Sequence, residues 1–239
     1  MKKLLLSFLF ISITVTALFA QKTINDPNAE KRDVSGFHGI EVGTGIDLIL
    51  TEGSYEQVVV SAAKTEYRDK IVTKVENGIL KIHYENKMGS INTKKEKKDG
   101  RAYVSYTSLD KLFATTGATV KIEGVLKAPS LEMMVNTGAE LEGEVSLTSL
   151  KLTQNTGSRV NLTGKADRLD IDGDTGSKFK GEEMATTTCN VNVSTGAMVS
   201  VKAEKELVVK ASTGGNVRYK GNASIREIRS NTGGSVTKI

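Results

Sequence analysis

Asn155-Thr156-Gly157-Ser158 is one copy of a four-residue unit whose recurrence decides the fold. The unit returns around Thr116-Gly117, Thr137-Gly138, Thr175-Gly176, Thr195-Gly196, Thr213-Gly214 and Thr232-Gly233, with successive threonines 21, 19, 19, 20, 18 and 19 residues apart. A fixed period near 20 residues is the signature of a solenoid. The residue before the Thr is Thr115, Asn136, Asn155, Asp174, Ser194, Ser212 or Asn231, all turn formers able to bond nearby backbone. The residue after the Gly is always small: Ala118, Ala139, Ser158, Ser177, Ala197, Gly215, Gly234. The Gly itself suits a corner of positive φ.

Outward from the corner the pattern is period two. Four residues before the Thr stand Leu112, Met133, Leu152, Ile171, Val191, Val209 and Ile228; four after it stand Val120, Leu141, Val160, Phe179, Val199, Val217 and Val236. Six before and six after are mostly apolar too: Leu131, Leu150, Leu169, Cys189 and Leu207, then Ile122, Leu162, Val201 and Tyr219. Polar residues between them complete the alternation of strands with one buried face. No window shows a sustained helical period. Each repeat reads as a strand, a Thr-Gly corner, a second strand and a short return. By parity the threonines face inward as an internal ladder. Their hydroxyls would then need partners, because a buried unpaired hydroxyl costs roughly 1–3 kcal/mol.

Stacked parallel strands, one turn per repeat, make a parallel β-helix. A leucine-rich repeat would need an L-x-x-L-x-L run and a convex helix, and a hexapeptide helix would need strict multiples of six. Because parallel crossovers are right-handed in roughly 98% of cases, the expectation is an all-β, right-handed parallel β-helix.

Residues 1–20 read as a secretory signal: Lys2 and Lys3, an apolar stretch Leu4 to Phe19, and a small residue, Ala20. The apolar run is short of the roughly 20 residues needed to span a bilayer. Its removal leaves 31 basic and 28 acidic side chains, a net +3, too balanced to argue for nucleic acid. Residues 21–32 read as a loose leader, and 33–239 as one domain. Within it, residues 33–52 hold an atypical first rung around Thr44-Gly45, with Ile40 and Leu48 inward and Ile46 where later copies have a small residue.

Residues 53–107 interrupt the repeats with strands at Val58–Val60, Ile71–Val75, Ile79–Tyr84 and Ala102–Tyr106; Asn77-Gly78 marks a hairpin. A polar loop between Asn86 and Arg101 carries Lys94-Lys95-Glu96-Lys97-Lys98. This insertion is expected to cover the strand edge at the N-terminal end of the helix. Seven Thr-Gly rungs then fill 108–239. Cys189 is the single cysteine, so no internal disulfide forms, and it reads as a buried small hydrophobe.

Phe37-His38-Gly39-Ile40-Glu41-Val42 leading into Thr44-Gly45, Val75-Glu76-Asn77-Gly78-Ile79-Leu80-Lys81-Ile82, and Leu109 to Gly117 with the later Thr-Gly-small repeats resemble a family of secreted bacterial proteins, the putative auto-transporter adhesin, head GIN domain. The resemblance covers residues 33–239. It implies a right-handed parallel β-helix and a role in adhesion, and it brings no functional residues. The chain shows no translocator barrel of roughly 9–11-residue membrane strands, which speaks against self-transport.

The best candidate for chemistry is Asp170, Asp172 and Asp174. Polysaccharide lyases on β-helices use acidic clusters for calcium, so a lyase-like enzyme on the Asp170–Asp174 face is the alternative to an adhesin. Calcium wants six to eight oxygens, and the same columns in adjacent rungs offer Lys151, Thr153, Asn190 and Asn192, so a solvated strand face is the plainer reading. The fifth position after the Thr reads Lys121, Glu142, Asn161, Lys180, Ser200, Arg218 and Thr237; no stripe of one charge is expected. His38 and His83 have no second ligand nearby, and His38 reads as packing or hydrogen-bonding at the first rung. Five of the six tyrosines (Tyr55, Tyr67, Tyr84, Tyr103, Tyr106) lie in the insertion, where stacked sugars would be sought, although strand packing explains them as well.

Ice binding through the threonine array would need those side chains outside. No catalytic, cofactor or metal set is assigned. The expected function is an exported, non-catalytic module, periplasmic or extracellular, that binds a cell-surface polysaccharide or an envelope protein. The last copy, Arg226 to Ile239, lacks a cap, so a homodimer through the C-terminal rung is a further expectation.

Overall fold

The computed structural model describes residues 26–85 and 97–239. The signal segment 1–20, residues 21–25, and Lys94 and Lys95 of the lysine run lie outside the described residues. In chain order the elements are β1 (Glu30–Arg32), β2 (Gly39–Val42), β3 (Asp47–Glu52), β4 (Gln57–Ser61), a single helical turn α1 (Thr65–Arg68), β5 (Ile71–Glu76), β6 (Ile79–Tyr84), β7 (Arg101–Tyr106), β8 (Lys111–Ala114), β9 (Thr119–Val135), β10 (Glu140–Gln154), β11 (Arg159–Gly173), β12 (Lys178–Val193), β13 (Met198–Ala211), β14 (Asn216–Lys220), β15 (Ser224–Ser230) and β16 (Ser235–Lys238). They form one sheet wound into a β-solenoid of about seven turns, its rungs parallel from β8 onward.

The inward columns are as the alternation requires. Leu131, Met133, Leu150, Leu152, Leu162, Leu169, Leu207 and Val217 are fully buried, and Val160, Phe179 and Cys189 nearly so. Each such side chain is worth roughly 1.5–3 kcal/mol of transfer free energy. The return segment differs from expectation. Between corners, β9 to β13 are single bent strands of 14–17 residues, and the bend is made by bulges. Partners across β12 and β13 are 20 residues apart at Lys178↔Met198 but 18 apart at Thr188↔Glu206. The variable repeat length is therefore absorbed at the far bend, while the corners stay in register. Gly164 marks one such bend: its φ is +96°, and a Cβ there would stand 2.1 Å from the Val145 carbonyl oxygen.

The insertion covers the N-terminal end, as expected, by building an additional rung. β6 pairs in parallel with β2 (Ile40↔Leu80) and β7 with β3 (Leu48↔Ala102), on the opposite sides from β8 and β9. The chain thus lays down the β2–β3 rung, doubles back to make the rung before it, and crosses to β8. The outer edges are closed by antiparallel β5 on β6 and β4 on β7. β1 pairs antiparallel with β4, and the Asn28 amide donates to the Ala62 carbonyl at 3.0 Å. Glu30–Arg32 therefore belong to the sheet and not to the loose leader expected over 21–32, because the free edge of β4 takes them as a partner. At the other end β15 and β16 pair only toward β13 and β14, and Ile225 and Ile228 are 49% and 39% exposed.

Candidate binding surface

The corners are four-residue turns in which both central residues have positive φ, as in type I′ turns. Thr156 has φ 49° and Gly157 70°, and all eight Thr-Gly pairs share this conformation. The Ser158 amide closes the turn on the Asn155 carbonyl at 3.2 Å, and the Gly157 amide donates to the Thr175 carbonyl of the next rung at 2.9 Å. The equivalent bond recurs from Gly45 through Gly214, so the turns stack in a continuous ladder. At two corners the preceding side chain takes the Thr amide: Thr156 donates to Asn155 at 2.8 Å and Thr175 to Asp174 at 2.7 Å.

This overturns the internal threonine ladder. Two consecutive left-handed residues reverse the chain and break the alternation, so the inward positions flanking the corner are Ala114 and Ala118, Val135 and Ala139, or Val193 and Ala197. From Thr116 onward every corner threonine is exposed, and Thr44 is half-buried. The exposure that ice binding requires is present. The threonines form a single file, one per rung, each with a glycine beside it.

The Asp170, Asp172 and Asp174 face is brought together as expected, and each carboxylate is engaged. Arg168 Nε donates to Asp170 Oδ2 at 2.6 Å. Asn190 donates to Asp170 Oδ1 at 2.6 Å, Asn192 to Asp172 at 3.1 Å and Ser194 to Asp174 at 2.8 Å, each from the next rung. Partial burial raises the Asp170 pKa, but the hydrogen bonds from Arg168 and Asn190 outweigh it and hold the carboxyl below its ordinary range. Asp174 is lowered by hydrogen bonds from Thr195 and Ser194. Among the described residues no cluster of three or more His, Cys, Asp or Glu is arranged to hold a metal ion.

A different column emerges at the far bend. Lys127 pairs with Ser146, Ser146 with Lys165, Lys165 with Ala185, Ala185 with Lys202, and Lys202 with Lys220. Four of these six positions are lysine, whereas the column from Lys121 to Thr237 is in register and mixed in charge. Counted from the preceding corner threonine, the members of the far-bend column stand at +11, +9, +9, +10, +7 and +7, so no fixed offset could align them; only the bulges do. Lys202 and Lys220 are held by Glu204 at 3.0 Å and Glu183 at 2.8 Å. Lys127 and Lys165 flank an open depression of about 440 Å³, with Ser146, Leu147, Thr148 and Pro129 on its floor and walls.

In the insertion, Tyr106, Tyr84 and Tyr67 are buried at 1%, 5% and 8% exposure, and Tyr55 stands out at 50%. Burial, helped by Asp99, pushes the Tyr84 phenol up to about 12. Tyr67, Tyr84 and Tyr106 thus pack the cap. His38 Nδ1 meets Asp110 Oδ1 at 2.7 Å, tying the β2 rung to the start of β8. Cys189 is buried, and desolvation with the nearby Asp170 charge pushes its thiol up to about 12.

The family described as putative auto-transporter adhesin, head GIN domain, matches residues 36–223. No functionally curated protein matches the chain. Among solved structures, it is similar to a putative adhesin from Bacteroides fragilis NCTC 9343 (TM-score 0.74, 15% identity, 88% of this chain and 95% of that one). It is also similar to a putative adhesin from Parabacteroides merdae ATCC 43184 (TM-score 0.68, 13% identity, 90% and 97%). A putative lipid binding protein from Parabacteroides distasonis ATCC 8503 shares the fold as well (TM-score 0.61, 17% identity, 90% and 98%). Among the described residues no helix is long and apolar enough to cross a membrane.

Proposed function

Because the chain belongs to the putative auto-transporter adhesin, head GIN domain family, we propose that it is an exported, non-catalytic β-helix that presents a rigid surface to a cell-surface polysaccharide or an envelope protein. The observation that carries the reading is the use made of the Asp170–Asp174 carboxylates. Each is tied to a side chain of the next rung, which fits a stacked, solvated wall better than a calcium site needing six to eight free oxygens. Rungs locked by a continuous corner ladder suit repeated surface recognition, since solenoids offer extended binding faces.

A glycan array and an envelope-fraction pull-down with residues 21–239 test the proposal. Retention on one glycan class or one envelope component is the expected result. Turnover of an acidic polysaccharide in calcium, lost on Asp172→Ala, would overturn it in favour of a lyase.

A further inference from the structure

We infer that the depression between Lys127 and Lys165 binds a linear acidic polysaccharide, with one anionic group on each ammonium. The inference rests on the carbohydrate reading above and gives it a site and a ligand class. The two lysines lie in one column with Ser146 between them. Two rungs at the strand spacing put their backbones ~9.6 Å apart, comparable to one disaccharide of an extended glycan. A polymer that offers a carboxylate at every disaccharide step, as one charged on each sugar does, would therefore meet both ammonium groups in register.

Both side chains are exposed, and neither is in an ion pair with a described residue. That leaves their charge for a ligand, whereas Lys202 and Lys220 further along the column are occupied by carboxylates. The depression supplies the other contacts a sugar needs. Ser146 and Thr148 offer hydroxyls, Asp167 on the rim can accept from ring hydroxyls, and Pro129 and Leu147 give an apolar surface for a sugar face.

The shape favours a single chain over an anionic membrane. The basic column is one residue wide, and exposed acids flank it: Glu144, Asp167, Glu183 and Glu204. A flat anionic surface would be repelled by these, while a single strand touches only the column. Such exposed contacts are screened within a Debye length of about 10 Å at 0.1 M salt, so binding should weaken steeply as salt rises.

The test is binding of polygalacturonate oligomers to residues 21–239 by calorimetry or biolayer interferometry, with dextran as a neutral polymer and phosphatidylglycerol vesicles as an anionic surface. The expected result is salt-sensitive binding of polygalacturonate. Lys127→Glu/Lys165→Glu should reduce it at least tenfold. Lys127→Arg/Lys165→Arg should retain it, and so should the matched charge change Lys178→Glu/Lys210→Glu elsewhere, with thermal melts confirming that all variants fold. Equal loss in both Glu pairs, or vesicle binding without polygalacturonate binding, overturns the site. Binding of neutral glycans alone overturns the site and leaves the adhesin reading standing; no binding to any glycan or envelope component overturns both.

Discussion

Asn190 Nδ2 lies 2.6 Å from Asp170 Oδ1, across two adjacent rungs and 20 residues of chain. Asn192 with Asp172 repeats the relationship along the same pair of strands, and Ser194 with Asp174 carries it into the corner that follows. A face that in sequence looks like a cluster of acids is, in the fold, an inter-rung seam.

The seam carries a pH dependence. The folded Asp170 pKa lies below its ordinary value of 3.8, so its contribution to stability is present above that value and is lost as pH falls through the depressed one. Thermal midpoints of the wild type should fall on acidification below pH 3.8, and Asp170→Asn should show a shallower fall. An equal acid slope in the two proteins would show that this carboxylate is not coupled to folding.

Val160 is 1% exposed between Leu141 and Phe179. Val160→Asp should therefore bury an unpaired charge and unfold neighbouring rungs, at a cost above about 4 kcal/mol. Lys151→Glu, on the exposed side of the same solenoid, should cost less than about 1 kcal/mol, its main effect being repulsion from Glu132 and Asp170 opposite it on the two neighbouring strands. Denaturant melts of both variants check the inward and outward assignment.

Thr137 is an exposed β-branched residue at φ 52°. An L-residue pays roughly 1–2 kcal/mol for the left-handed region, and Asn pays less because its side chain bonds locally. Thr137→Asn should raise stability by up to about 1 kcal/mol. A lowered melting temperature would mean that the threonine makes a compensating contact at the corner.

Cys189, with its thiol pushed up to about 12 by burial, should resist iodoacetamide in the native protein at pH 8 and react on unfolding. Because rungs open against their neighbours, its labelling rate in mild denaturant reports the opening of the β11–β13 segment.

Strands β15 and β16 present open edges with Ile225 and Ile228 beside them. Two copies stacking these rungs about a two-fold would pair the edges and bury the isoleucines. Sedimentation at tens of micromolar should show a dimer that Ile228→Lys converts to a monomer. A monomer mass for the unmodified chain at that concentration counts against the association.

The sequence by itself determined the solenoid, the spacing of its corners, and the inward columns around Val160 and Leu152. All of these are local: period-two alternation and turn chemistry repeat at the corner, and the corner cannot slip because its amides are used rung to rung. Tertiary structure decided the rest. Parity placed the threonines inside, and two successive left-handed residues put them outside. The insertion read as a hairpin lid, but register against β2 and β3 makes it a rung laid down out of order. The Lys127–Lys165 column was invisible because bulges at the far bend take up the drift in repeat length; residues at different offsets from Thr-Gly become neighbours only when the strands pair.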